Sequence, residues 1–193
     1  MVRVYDISKE LFASPVYPGD TAPRLTVVSS MEDGDPYHLS DLSMCLHNGT
    51  HIDAPRHFVQ DGKTVDQIPI NVFCGICEVL AFETPYITGE AIDWYLKPGT
   101  KRLLIKGGGK CRLSPSAAGE IAAAGVELVG IDHNEIGVDD FEQQVHFTLL
   151  SAGVVILENL DLSAVVPGTY YLCAAPLQIK GAEGAPCRAV LLR

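Results

Sequence analysis

Between residues 47 and 58 the chain reads HNGTHIDAPRHF, and no other stretch restricts its fold as strongly. Gly49 and Thr50 are poor helix formers and Pro55 lacks a backbone donor, so neither a helix interior nor a regular strand suits the whole run. The segment reads as a turn that folds back on itself. His47, His51 and His57 lie in it beside Asp53, although the whole sequence holds only 6 histidines. Imidazole and carboxylate are the groups that zinc, manganese and similar divalent ions accept. The missing side chain at Gly49 lets backbone and metal approach, so residues on either side of the turn can point at one centre. The competing reading is a solvated loop with an Asx-turn aspartate.

Two distant residues favour convergence. From Leu39 the chain alternates, with Leu42, Met44 and Leu46 on one face and Ser43, Cys45 and His47 on the other, which predicts a strand closed by His47. Residues 71 to 82 and 102 to 106 read as further strands. Ser114 as N-cap, Pro115 at the first helical position and Gly125 as the stop predict a helix, followed by the strand VELVGID. A second such unit has a helix from about 139 to 151, a stop at Gly153 and a buried strand VVIL that ends at Glu158. His146 shares a helix face with Leu149 and Leu150, which turns its ring toward the core, where an imidazole needs a partner. The C-terminal tail has two apolar runs around a Gly-rich turn, the pattern of a hairpin. The fold class is a mixed, strand-rich α/β domain.

Length and composition limit what such a domain does. At 193 residues with 47% hydrophobic and 20% charged side chains, the chain suits one packed domain over residues 1 to 193. A formal net charge of -10 repels phosphate backbones and anionic membranes, so no nucleic acid and no membrane is expected as a partner. The N-terminus has no signal-peptide pattern, no apolar run reaches transmembrane length, and the 6 cysteines read as reduced thiols, which together predict a cytoplasmic protein.

The run from His47 to Phe58 fits the H-x-G-T-H-x-D-x-P-x-H-F signature at every fixed position, and in this the chain resembles the metal-dependent cyclase family, which includes bacterial kynurenine formamidase and isatin hydrolase. The likeness continues through DIS and VYPGD near the N-terminus, GID at 130 to 132, HFTLLSAGVVILENL and PLQIKGAEGAPCRAVLL. The resemblance implies that His47, His51, Asp53, His146 and Glu158 ligate one or two divalent ions, zinc or manganese, and that His57 is the general acid/base. It also implies the family's mixed α/β fold, a homodimer or larger homo-oligomer, and hydrolysis of a small amide, N-formyl or cyclic, as in an arylformamidase of tryptophan catabolism. An ion so held would make hydroxide available near neutral pH for attack on the amide carbonyl. The alternatives are a non-catalytic metal-binding member, or a lactone hydrolase, ester hydrolase or dehydratase of the same family. One departure bears on the substrate: Tyr17 stands where the formamidase pattern has the tryptophan expected to stack on an aromatic substrate, a role a tyrosine can fill. A second departure is His133-Asn134-Glu135-Ile136-Gly137, which follows GID in place of the family's usual sequence.

Two other signals carry less. Cys74-Gly75-Ile76-Cys77 has redox or half-zinc-site spacing, but strand sequence follows it and no second such pair completes a site, so two small core residues are expected. Gly107-Gly108-Gly109-Lys110 lacks the remaining residues of a phosphate loop and reads as a turn.

Overall fold

The computed structural model describes residues 2–193. Nine strands form one mixed sheet in the order β1 (Val4–Asp6), β13 (Val190–Leu192), β11 (Gly168–Cys173), β5 (Cys74–Ala81), β7 (Arg102–Lys106), β9 (Leu128–Ile131), β10 (Val155–Glu158), β4 (His51–Asp53) and β12 (Gly184–Pro186). The central four, β5, β7, β9 and β10, are parallel, and every pairing outside them is antiparallel. A hairpin of β2 (Arg24–Ser29) and β3 (Leu39–Ser43) and a short pair of β6 (Tyr86–Ile87) and β8 (Arg112–Leu113) stand outside this sheet.

The parallel strands read as unbroken apolar runs because both of their faces are buried. Leu103, Ile105, Val129, Ile131 and Ile156 face the helices α2 (Gly89–Tyr95), α3 (Pro115–Ala123) and α4 (Glu142–Ser151), packing with Ile92, Ile121, Val145 and Leu149. The alternate residues Leu104, Leu128, Val155 and Leu157 share a second cluster with Ile52 of β4, Leu172 of β11 and Leu191 of β13. Strands from both ends of the order meet in that one cluster, so the sheet curls upon itself. Leu104 has no exposure, and Leu104→Ala would cost about 2–5 kcal/mol.

The helix signals act as expected. Ser114 accepts a hydrogen bond from the Ala117 amide, Pro115 opens α3, and Gly125 ends it at φ 72°. Asp132 explains the Gly-rich turn: its carboxylate accepts the amides of Gly107 and Gly108 at 2.9 to 3.0 Å, so those donors serve the fold.

Three expectations need correction. The strand before the histidine turn ends at Ser43, not at His47, and all its residues are exposed, so its alternation does not report a buried face. Residues 70 to 73 form a helical turn, α1 (Ile70–Phe73), ahead of β5, because Arg102 reaches the carbonyls of Asn71 and Val72 and caps that turn from the neighbouring strand. In the C-terminal tail β11 pairs with β13, while β12 between them crosses to pair with β4 at the opposite end of the order. Tertiary pairing overrides the local hairpin pattern there. Cys77 is buried as expected, and Cys74 faces Cys173 across the β5–β11 pair with sulfurs 3.5 Å apart.

Candidate metal centre

Strand register assembles the site. In the antiparallel β10–β4 pair, Ile156 lies opposite Asp53, Leu157 opposite Ile52, and Glu158 opposite His51. Side chains alternate along a strand, so His51, Asp53 and Glu158 leave the sheet on one face while Ile52 and Leu157 enter the core on the other. Helix α4 packs over β10 and adds His146 from its buried side, beside Val145 and Leu149. His47 enters from the turn before β4. Gly49 sits there at φ 66°, in the left-handed region that a side chain disfavours, and the reversal leaves the His47 and His51 rings 5.1 Å apart. Gly184 of β12 lies opposite Asp53, and a Cβ there would come within 2.7 Å of the His47 ring, so the ring requires glycine at this position.

The two carboxylates are the hubs of the cluster. Asp53 Oδ1 lies 2.8 Å from His47 Nδ1 and 3.3 Å from His51 Nε2. Glu158 lies 3.6 Å from His51 Nε2 through Oε2 and 3.4 Å from His146 Nε2 through Oε1. His47, His51 and Asp53 form one group of potential ligands and Asp53, His146 and Glu158 a second, each with its ligand atoms within 4.8 Å of one another, and Asp53 belongs to both. Backbone carbonyls orient two of the rings. His51 Nδ1–H donates to the Gly49 carbonyl and His146 Nδ1–H to the Glu142 carbonyl, both at 2.9 Å, which leaves each neutral ring's Nε2 lone pair facing the carboxylates. Glu158 is held by the Ile136 amide at 2.7 Å.

This donor set fits a divalent cation. Three imidazoles and two carboxylates suit a metal of borderline character, and the four besides His47 are nearly fully buried. His47 Nε2 is buried without a hydrogen-bond partner, its nearest carboxylate being Glu183 at 3.5 Å. A buried nitrogen left unsatisfied costs about 1–3 kcal/mol, which coordination would remove. Electrostatics agree. At His51 burial works against the imidazolium, yet Asp53 and then Glu158 outweigh it and raise the pKa to about 9. Burial likewise opposes the charge on His146, and Glu158 with Asp53 raises it to about 9. Burial disfavours the Asp53 carboxylate too, but His51 and His47 hold its pKa well below the usual range. The carboxylates thus impose a demand for positive charge that protons or a cation can meet.

His57 stands apart from both ligand groups. It ends the helical turn Pro55–His57, stacks on His47 at 4.2 Å and meets Phe58 edge-on at 4.7 Å. Burial depresses its pKa, and His47 and His146 reinforce this against the pull of Asp53, so the ring is neutral near pH 7. The structure brings His47, His51, Asp53, His57, His146 and Glu158 to one cleft and puts Tyr17, 45% exposed, on its wall. Sequence reasoning missed several neighbours. Phe58, inside the motif, stacks on the His146 ring at 4.9 Å. Glu142, four residues before His146 on α4, was within reach of helical spacing. Asp20, Glu135 and Gly184 carry no signal in the sequence pattern.

The chain is similar to known proteins over most of its length. A family model described as putative cyclase matches residues 5–138, which takes in the histidine turn but stops short of His146 and Glu158. The kynurenine formamidase of Bacillus mycoides (strain KBAB4) is 36% identical over 188 residues, covering 91% of this chain and 90% of its own. That of Salinibacter ruber (strain DSM 13855 / M31) is 34% identical and covers 98% and 97%. A solved structure described as a potential metal-dependent hydrolase with cyclase activity superposes with a TM-score of 0.87 at 31% identity, covering 100% of this chain and 98% of that one. Isatin hydrolase A from Labrenzia aggregata reaches 0.86 at 23% identity over 99% and 93%, a likeness of fold. The relatives extend the match through α4 and β10, where the remaining ligand candidates lie, and on this evidence the chain belongs to the cyclase family.

Proposed function

We propose that this chain is a metal-dependent hydrolase of a small amide, N-formyl or cyclic, acting as one domain over residues 1 to 193. The observation that carries the reading is the pair of ligand groups sharing Asp53, with neutral His57 stacked beside them. The names of the relatives, kynurenine formamidase and isatin hydrolase, support the amide class. His47, His51, Asp53, His146 and Glu158 would hold one or two divalent cations, zinc or manganese. A cation bound there supplies Lewis-acid polarisation of a carbonyl and brings the pKa of water toward neutrality.

The chain's own residues do the rest. His57 takes a proton from the attacking water and returns it to the departing nitrogen as the C–N bond breaks, yielding a carboxylic acid and an amine. Its neutral ring has a lone pair for the first transfer, and its place outside the ligand groups leaves that nitrogen free to give the proton up in the second. Tyr17 offers an aromatic face to the substrate from the cleft wall. Two further readings accompany this one. The exposed apolar β2–β3 hairpin supports a homodimer or larger homo-oligomer. The 6 free cysteines support residence in the cytoplasm, and among the described residues no helix is long and apolar enough to cross a membrane.

Protein stripped by chelator and reloaded with zinc or manganese tests the activity. Hydrolysis of a formanilide, cyclic amide or lactone that appears only on reloading is expected. Its failure across such a panel with either metal would overturn the reading.

A further inference from the structure

The wall of the cleft above the metal centre is acidic and aromatic. The cleft holds about 250 Å³, its lining beyond the ligand candidates includes Asp20, Glu135 and Glu142 together with Tyr17, and among the described residues no lysine or arginine lines it. Glu135 has a partial partner in Arg112 at 3.8 Å, a guanidinium already engaged by both oxygens of Asp139. Among the described residues Asp20 and Glu142 have no ion-pair partner; Asp20 accepts only the Cys45 thiol at 3.3 Å. Glu142 and Glu135 are half-buried, so water screens them less than it would surface carboxylates. A carboxylate in the first turn of a helix favours that helix, but Asp139 and Asp140, exposed just ahead of α4, already supply that charge. The placement of Glu142 toward the cleft therefore needs another account.

Charge and shape supply one. Asp53 and Glu158 are committed to the cluster of imidazoles, and a single divalent cation held there would balance their two charges. The outer carboxylates have no such counterpart and leave a negative field focused in a narrow cleft. Their field converges on Tyr17, whose phenol is pushed up by Glu142 first and then by Glu135 and Asp20. Carboxylates around an accessible aromatic face recognise an organic ammonium by ion pairing and by cation–π attraction together. A carboxylate on the substrate would meet the same wall, where the nearest guanidinium, Arg112, is already engaged by Asp139.

Resting on the hydrolase reading, we propose that the substrate is an amide whose remaining part carries an ammonium group and no free carboxylate. Asp20 and Glu142, assisted by Glu135 and the Tyr17 ring, are the residues that select it. The specificity is thus for a cation, set by the outer wall, while the bond broken is set by the metal centre beneath.

The test uses metal-loaded protein and three formanilides of matched size, with trimethylammonium, tert-butyl or carboxylate in the para position. Expected values of kcat/KM favour the cation over the neutral compound by about tenfold and the neutral over the anion by a similar factor, roughly one close charge pair at a protein surface. The cation's advantage should shrink as salt rises from about 10 mM to about 500 mM. Glu142→Gln and Asp20→Asn should each cut the cation-to-neutral ratio several-fold. Calorimetry with the three matching methanesulfonanilides, which lack a cleavable carbonyl, reads the same preference without turnover. Turnover of all three formanilides at equal rates, or fastest with the anion, would overturn this proposal and leave the hydrolase reading standing. No turnover of these or of the cyclic amides and lactones of the wider panel, together with tightest binding of the cationic sulfonanilide, would uphold the charge preference and sink the hydrolase reading. No turnover across that panel and no binding preference would sink both.

Discussion

The metal centre and the β2–β3 hairpin break the usual distribution of side chains in opposite senses. In the centre His51, Asp53, His146 and Glu158 are between 1% and 5% exposed, so ionisable groups occupy the interior. In the hairpin Leu25, Val27 and Leu42 are 56%, 64% and 52% exposed, so aliphatic groups occupy the surface. Buried charge is tolerated when it is paired, and the centre pairs carboxylates with imidazoles. A two-stranded hairpin with both faces in water is marginal, and among the described residues nothing covers this one. The contrast teaches that the same departure from the rule is answered from within the fold in one region and calls for a second surface in the other.

The largest effect expected is at the shared ligand. Asp53→Ala should lose bound metal and lower the rate by more than about 10⁴-fold, since it removes a charge from both groups. Metal analysis beside kinetics checks this, and a variant with full metal occupancy would show that Asp53 is not a ligand. Next, His57→Ala should bind metal nearly normally while losing about 10²–10⁴-fold in turnover on an amide, and less on an activated aryl ester whose leaving group needs no proton. Loss of metal with equal damage to both substrates would move His57 into the ligand set. On the hairpin side, Leu25→Asp with Leu42→Asp should raise the dissociation constant of the proposed oligomer by about 10²-fold or more, read by sedimentation, without altering metal content. A native assembly that survives both changes would break the comparison.

The remaining effect is graded with pH. His51 and His146 have folded pKa values raised to about 9 against an ordinary 6.5. For a raised pKa, the stabilisation is full below about 6.5 and is lost as pH rises through about 9. The metal-free protein should therefore lose melting temperature over that window. Metal affinity should rise over the same window by about tenfold per pH unit for each proton displaced. A flat affinity from pH 6.5 to 9 would mean that no imidazole gives up a proton on binding.

Much of the centre was legible because its ligands are chemically conspicuous. Histidines crowded round Gly49, an inward His146 on a periodic helix and a Glu158 ending an apolar strand each carry local signals. Their convergence was expected, but the pairing that produces it was not legible, because β4 meets β10 in one register through a long-range choice made by Ile52 and Leu157 entering the core. The same reason explains the errors. Period-2 alternation in β3 comes from a strand with no buried face, and β12 leaves its sequence neighbours because β4 offers an edge on the far side of the sheet. In the cleft wall Asp20 and Glu135 were silent, since one carboxylate in a loop resembles any other until the chain is folded, whereas helical spacing put Glu142 within reach of His146.

The β4–β10 pairing also sets when the centre can exist. Thr50 Oγ1 donates to the Asn159 carbonyl at 2.6 Å across a separation of 109 residues, and Asn159 holds φ 60° beside the last ligand. Loops of that length close slowly, because chain entropy is lost before any contact compensates for it. During folding, then, the histidine turn and α4 can form early, yet tight coordination has to wait for this last long-range closure. The moment at which a refolding chain captures its cation would time the completion of the sheet.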